Sequence, residues 1–327
     1  MPIKLEQNIH QGYGMQTLDD VGKWINITHN NLIAAGLLQT ADTGQVVSVT
    51  GTTATLATNV LHGYRVYELN DAFSGVVPVY IRLDFRTIST LSSSTFRYGF
   101  LTVTVGFSTN GAGALSNSQV SRVLKSFLLT NSGATAILNP NARTMTVKGD
   151  DFLFHGNELC AGYLSSSNLY EGGFFAIVRC KLNDVVDPAR VTFIFQNPAP
   201  NSVQARPVSY VQLLKDGGIS SENSHIFRLP RIRNEQSLLV ASEADISENG
   251  LLIGTDRLIC FRALSDDTPW ITHKLSVDGL TEKTYLHLPM SPANSTAIPT
   301  SVEKLYLSAL VDIAEPAVGG IGILIDE

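Results

Sequence analysis

The first regular pattern along the chain is helical. Near the start, apolar residues recur at spacings of three and four, which places them on one face of an α-helix. The main members of this stripe are Leu18, Val21, Trp24, Ile25 and Leu32. Thr17 followed by Asp20 resembles a capping box, and Gly36 is suited to a left-handed C-cap. The sequence therefore predicts a short N-terminal helix with one face buried.

Two partners could cover that apolar face. It could pack on the rest of its own domain, or on the same helix of a neighbouring subunit in a ring or trimer. Because the helix lies so close to the N-terminus, we take its stripe as the candidate assembly interface and leave both alternatives open.

After Thr43 the pattern changes to a period of two and keeps it for most of the chain, with β-branched and aromatic residues between Gly, Asn, Ser and Pro turns. Residues 101–105, for example, alternate large apolar residues with threonine, as expected for a strand with one wet face. Residues 46–50 and 53–57 flank Gly51 in a predicted hairpin, and Asn110-Gly111 suits a type I′ turn. This is the pattern of an all-β protein.

Composition changes along the chain predict its division. Residues 197–207 concentrate Pro and Asn, and residues 216–223 form a second break rich in Gly and Ser, after which strand-like segments resume. We predict an N-terminal arm and helix over residues 1–45, a β-sandwich-like domain over residues 46–215 and a second, smaller β domain over residues 216–327.

The charge content argues against a nucleic-acid-binding surface. Charged residues make up 16% of the chain, against roughly 25% in typical soluble domains. The formal net charge is -6, whereas affinity for nucleic acid comes largely from many Lys and Arg side chains. We expect a polar, nearly neutral surface that partner proteins can cover and that does not bind nucleic acid.

The sequence has no membrane or disulfide signature. Its first residues lack the apolar run of a signal peptide. No stretch approaches the ~18 consecutive apolar residues of a membrane-spanning helix, so we expect no membrane insertion. Cys160, Cys180 and Cys260 are odd in number and widely spaced, and we expect them to be buried reduced thiols.

Catalytic and metal-binding motifs are missing from the sequence. The seven histidines are dispersed, and neither HExxH nor GxSxG occurs. Neighbouring aspartates at 150–151 and 266–267 would point to opposite faces of a strand, so they could not share a proton. We predict that the protein is not an enzyme and has no cofactor, although the fold could still bring two distant carboxylates together as in glycosidases.

One basic cluster is present. Arg228, Arg231 and Arg233 lie in the segment FRLPRIR, and two of them would share one face of an extended segment. They are our candidate partner-docking residues. The alternative is a solvated edge strand, in which the charges and Pro230 discourage edge-to-edge pairing.

Three segments carry a resemblance to a known group of proteins. They are AGLLQTADTGQV (residues 35–46), GYRVYELNDAFSGVVPVYIRLDF (residues 63–85) and TVTVGFSTNGAGALS (residues 102–116). In order and spacing they resemble structural proteins of tailed-phage virions, over roughly residues 15–125. The resemblance brings no catalytic residue and no cofactor with it.

The resemblance implies a structural role in a virion, after synthesis in the host cytoplasm. We expect the chain to assemble with itself, as a trimer or hexamer, and with neighbouring tail, baseplate or neck proteins. Two alternatives remain: a capsid decoration protein, and an appendage that binds a receptor or glycan. For the latter, Tyr170 and Trp270 are the loop aromatics of interest.

Overall fold

A computed structural model of the chain describes the following residues: 3–8, 18–49, 60–89, 96–117, 119–130, 143–158, 162–164, 167–169, 174–182, 185–197, 208–216, 225–227, 236–238, 258–264, 272–275, 283–289 and 317–326. Its one helix is α1 (Leu18–Ala34). The strands of the first half are β1 (Ile3–Asn8), β2 (Leu38–Gln39), β3 (Val60–Glu68), β4 (Tyr80–Ser89), β5 (Phe96–Gly106), β6 (Ser108–Thr109), β7 (Leu115–Ser116), β8 (Val120–Thr130), β9 (Arg143–Lys148) and β10 (Phe152–Glu158). Those of the second half are β11 (Gly162–Leu164), β12 (Ser167–Leu169), β13 (Phe174–Leu182), β14 (Val185–Asn197), β15 (Val208–Lys215), β16 (His225–Phe227), β17 (Gln236–Leu238), β18 (Leu258–Leu264), β19 (Thr272–Leu275), β20 (Lys283–Pro289) and β21 (Ala317–Asp326).

The all-β prediction is confirmed for the part of the chain that the structure describes, where all five sheets are antiparallel. Two of them form a sandwich: one has the order β2-β3-β4-β5-β8, the other β1-β9-β10-β13-β14-β15-β16. Their facing side chains belong to a single hydrophobic core, to which α1 also contributes.

Alternation along β4 and β5 builds the five-stranded half of that core. Ile81 lies opposite Val105 and Leu83 opposite Val103, and all four side chains are fully buried. The threonines between the valines are partly exposed. The predicted strand with one wet face is therefore confirmed over residues 101–105, because the period of two assigns each side chain to a face.

Strands β10 and β13, at the centre of the seven-stranded sheet, are buried on both faces. Phe175 and Phe193 point into the shared core, while Phe154 and Phe174 lie on the opposite face, stacked with ring centroids 5.2 Å apart. This explains why β13 reads as an almost continuous apolar run, as strands covered on both sides do.

The apolar face of α1 packs inside its own domain. Val21, Trp24 and Leu32 are 0% exposed and Ile25 is 2% exposed. Trp24 meets Phe85 of β4 edge-on, with ring centroids 5.5 Å apart. The helix ends as predicted: Gly36 has a φ of 94°, and the backbone N–H of the next residue donates to the carbonyl of Leu32 at 3.1 Å.

The seven-stranded sheet includes strands on both sides of residues 46–215, the range predicted for the sandwich domain. β1 pairs with β9, so the N-terminal arm is part of the seven-stranded sheet. β16 pairs with β15, so that sheet continues to Phe227, beyond the predicted boundary at residue 215. Strands β17 to β21 form a separate five-stranded sheet with the order β17-β18-β21-β20-β19.

Among the described residues, no helix combines the length and the apolar character needed to cross a membrane.

Candidate assembly surface

Two surface loops lie against each other at the margin of the five-stranded sheet that contains β2 and β3. One comprises residues 40–45, which follow β2, and the other comprises residues 109–114, which run from the last residue of β6 to the residue before β7. The backbone N–H of Thr43 donates to the carbonyl of Gly111 at 2.8 Å. We call these two segments together the loop platform.

Asp42 joins the two loops from within. Its side chain is 8% exposed, and its Oδ2 accepts hydrogen bonds from the Gly113 N–H at 2.7 Å and from the Thr109 hydroxyl. Burial acts to raise the pKa of Asp42, but the hydrogen bonds from Thr109, Thr40 and Gly113 outweigh it and lower the pKa below its usual value. Asp42 is therefore a charged acceptor whose donors lie mainly on the opposite loop.

Tyr64 of β3 supports the platform from below. Its hydroxyl lies 2.8 Å from the Thr43 carbonyl oxygen and 3.0 Å from that of Ala112, so it can donate to either loop. The guanidinium of Arg82 stacks over the Tyr64 ring, with its Cζ 3.9 Å from the ring centroid, and donates to the Gly113 carbonyl at 2.8 Å. The side chains of Tyr64 on β3 and Arg82 on β4 thus hold both loops in place above these two strands.

Gln45 attaches the first loop to the sheet. Its Nε2 donates to the carbonyl oxygens of Thr40 and Asp42, at 2.8 and 3.1 Å, and its Oε1 accepts from the N–H of Val66 at 2.7 Å. The Gln45 side chain thus bonds a backbone N–H of β3 beyond the residues that pair with β2.

Two glycines are required where the loops meet Tyr64. Gly113 has a φ of 86°, and a Cβ there would lie 2.3 Å from the Tyr64 ring. Gly44 has a φ of 80°, and a Cβ there would lie 2.8 Å from the Tyr64 hydroxyl oxygen. Any side chain at either position would be strained in its backbone and would push the tyrosine away.

Asn110 shapes the tip of the second loop. Its Oδ1 accepts from the N–H groups of Ala112 and Ala114, at 2.9 and 3.0 Å, and its own N–H donates to the Ala114 carbonyl at 3.0 Å. The predicted type I′ turn is wrong, because it requires positive φ at both central residues and only Gly111 has it, at 75°. The hairpin between β6 and β7 is present, with a wider loop.

The outer surface of the platform is uncharged and made of small residues. Thr43, Gly44, Asn110, Gly111 and Ala112 are exposed. Asp42, the single charged residue in the two segments, points inward. The platform therefore combines a rigid backbone with a neutral exterior that costs little to desolvate.

A second anchor holds the neighbouring loop between β3 and β4. Arg179 of β13 reaches across the core and binds Asp71 through two hydrogen bonds, from Nε at 2.7 Å and from Nη2 at 2.9 Å. Both side chains are 0% exposed. Arg179 also donates to the carbonyls of Val77 at 2.9 Å and Pro188 at 2.6 Å. The loop is thereby tied to the seven-stranded sheet through a buried, fully hydrogen-bonded ion pair.

The described side chains of the predicted helix interface lie in the core and not on the loop platform. We assign Val21, Trp24, Ile25 and Leu32 to the core of the chain, because these buried side chains offer no surface to a second copy. The side chain of Leu18 lies outside the described residues.

The predicted docking residues also lie outside what the structure describes. This applies to Arg228, Arg231 and Arg233, and to the two loop aromatics, Tyr170 and Trp270. Their proposed roles stay predictions.

The described titratable groups show no arrangement suited to metal binding: no three or more His, Cys, Asp or Glu side chains in this part of the chain converge. Burial lowers the pKa of His155 to about 3, and burial together with Arg65 lowers that of His29 to about 4. Burial likewise raises the pKa of the Cys180 thiol to about 11. These groups are neutral at pH 7; His155 and Cys180 are fully buried, and His29 is half-buried.

Comparison of the chain with protein-family models, with curated proteins and with solved structures gives no match.

Proposed function

We propose that this chain is a non-enzymatic structural protein of a tailed-phage virion, which acts by assembling with copies of itself and with neighbouring tail, baseplate or neck proteins. One observation carries the proposal. The three segments that resemble such proteins, far apart in sequence, supply the parts of the loop platform: residues 40–45 from the first, Tyr64 and Arg82 from the second, and residues 109–114 from the third.

The platform has the physical properties that favour repeated assembly contacts. Its loops are already ordered by Asp42, Tyr64 and Gln45, so association loses little conformational entropy. Its exterior carries no charge that would have to be desolvated or paired. A contact of this kind is modest by itself, but symmetric repetition over many copies adds avidity.

Light scattering with matched charge variants tests the proposal. We expect the purified protein to form a trimer or hexamer. Ala112→Arg and Ala114→Arg place a charge on the platform at exposed positions whose side chains take no part in its hydrogen bonds. Each should shift the oligomer towards monomer and leave the free energy of unfolding of the monomer unchanged, because only the surface between copies is altered.

Val185→Arg is the control, since it places the same charge at the exposed first residue of β14. It should leave the oligomer intact. A wild-type protein that stays monomeric at all concentrations would contradict self-assembly, and would favour a decoration or adaptor protein that binds a preformed particle. An oligomer that withstands both Ala112→Arg and Ala114→Arg would place the contact away from the platform.

A further inference from the structure

Asn110 and Gly111 form an exposed Asn-Gly pair at the tip of the loop platform. Such a pair is intrinsically reactive, because glycine has no Cβ to hinder approach to its backbone nitrogen. The Gly111 nitrogen can attack Cγ of the Asn110 side chain. An N–Cγ bond then forms, the Cγ–Nδ2 bond breaks, and ammonia leaves with the proton of the Gly111 N–H. Solvent water opens the resulting cyclic imide at either carbonyl, giving aspartate or isoaspartate.

In the folded chain the reacting groups are held by other contacts. Asn110 Oδ1 accepts from the N–H groups of Ala112 and Ala114, at 2.9 and 3.0 Å. The Gly111 N–H lies 3.3 Å from the Thr109 hydroxyl oxygen, to which it donates. Attack requires the Asn110 side chain to leave both backbone donors, so the loop must first open.

We propose that Asn110 is a deamidation site controlled by the loop platform, which suppresses the reaction while closed and permits it when the two loops separate. The proposal rests on the chemistry of the Asn-Gly pair and on the hydrogen bonds around it, and does not depend on the assembly role. Protection comes from the local hydrogen-bond network, and only secondarily from the stability of the whole fold.

The product would not fit the same loop. Isoaspartate adds a methylene group to the backbone between Thr109 and Gly113, the two residues of this loop that donate to Asp42. It also adds a carboxylate to a loop that already surrounds the negatively charged Asp42 side chain. Deamidation would therefore keep the platform open once it has occurred.

The test is peptide mapping by mass spectrometry of the intact protein, incubated at mildly alkaline pH with and without urea. The chain contains a second Asn-Gly pair, Asn249-Gly250, which serves as an internal reference. In urea the two asparagines should deamidate at similar rates. In buffer, deamidation of Asn110 should be slower than in urea by roughly tenfold to a hundredfold, the factor that two net hydrogen bonds impose.

Two matched variants separate local from global opening. Tyr64→Phe removes the hydroxyl that contacts both loops, and should accelerate deamidation of Asn110 in buffer by roughly two- to tenfold, the effect of one hydrogen bond. Tyr67→Phe removes a core hydroxyl that contacts His29, 3.0 Å away. It destabilises the domain without touching the platform, so it should leave the rate at Asn110 unchanged.

Two results would overturn the proposal. One is an Asn110 rate in buffer equal to that in urea, which would mean that the platform gives no protection. The other is equal acceleration by the two variants, which would mean that the reaction proceeds through unfolding of the whole domain.

Discussion

Removing the charge of Asp71 should destabilise the sandwich more than any surface substitution. The Asp71→Asn side chain has nearly the same size, but it leaves the guanidinium of Arg179 buried without a counter-charge and turns an amide N–H toward one of its donors. Breaking a buried ion pair from one side costs about 3–5 kcal/mol, whereas a folded domain is stable by about 5–15 kcal/mol. Asp71→Asn should therefore remove about a fifth or more of the total stability.

Urea denaturation followed by the fluorescence of Trp24 measures this loss, because Trp24 lies in the core that the ion pair crosses. The second tryptophan, Trp270, is replaced by phenylalanine throughout. With a denaturant dependence of about 2–3 kcal/mol per molar urea, the midpoint should fall by about 1–2.5 M.

An exposed ion pair provides the matched control. Arg190 lies 3.5 Å from Asp187, and both side chains are about a quarter exposed, at 27% and 26%. Because exposed pairs contribute about 0–1 kcal/mol, Arg190→Gln should move the midpoint by less than about 0.5 M.

The double variant Asp71→Leu with Arg179→Met distinguishes a missing counter-charge from a missing contact. Replacing both charges by apolar side chains of similar size leaves no buried charge, so it should cost less than Asp71→Asn alone. The reasoning is refuted if Asp71→Asn costs no more than Arg190→Gln. It is also refuted if the double variant is less stable than Asp71→Asn, since the loop would then depend on the hydrogen bonds rather than on charge compensation.

Three further predictions follow from the core and the platform. His155 has a pKa of about 3 when folded and 6.5 when unfolded, so below pH 6.5 the unfolded chain binds more protons than the folded chain. The free energy of unfolding should therefore fall by about 2 kcal/mol between pH 7 and pH 5, and the lowered pKa of His29 adds to this fall. Equal urea midpoints at pH 7 and pH 5 would contradict the prediction. Gly113→Ala should lower stability by about 1–3 kcal/mol because of its positive φ and the tyrosine ring beneath it, whereas Gly75→Ala, which meets no atom within 4 Å, should be nearly neutral in the same thermal melts. Cys180 should react with a thiol reagent only on unfolding, because it is fully buried and its pKa is raised; in a variant whose other two cysteines are serine, fast labelling of the native protein would show that the strand opens.

The core strands and the helix could be predicted from local periodicity. Leu83 and Val103 occupy the positions that alternation assigns to a buried face, and α1 ends two residues before the predicted C-cap glycine, Gly36. The predicted strand at residues 46–50 is wrong over residues 46–49, which are not in a strand. The backbone of Val46 crosses close to Gly63, where a Cβ would lie 2.2 Å from the Val46 carbonyl oxygen. Such a crossing depends on a distant glycine, so it leaves no trace in the local pattern.

For a similar reason, the sequence did not determine which chain covers the apolar face of α1. An amphipathic stripe shows that a face is buried, but it does not say by which chain. Packing of Trp24 on Phe85 answers that question, because the partner comes from a strand far along the same chain. The same limit applies to the loop platform: Asn110 and Gly111 were visible as turn residues, but Asp42 gave no signal that it would join two loops.

The sequence by itself determined the all-β class, the N-terminal helix and the faces of the strands, because side-chain alternation and helical spacing act between near neighbours. The tertiary structure alone decided that Asp71 meets Arg179 and that residues 40–45 meet residues 109–114. These contacts join positions that are far apart along the chain. Their pairing follows from sheet order and register, which the whole set of long-range contacts selects together and no single segment encodes.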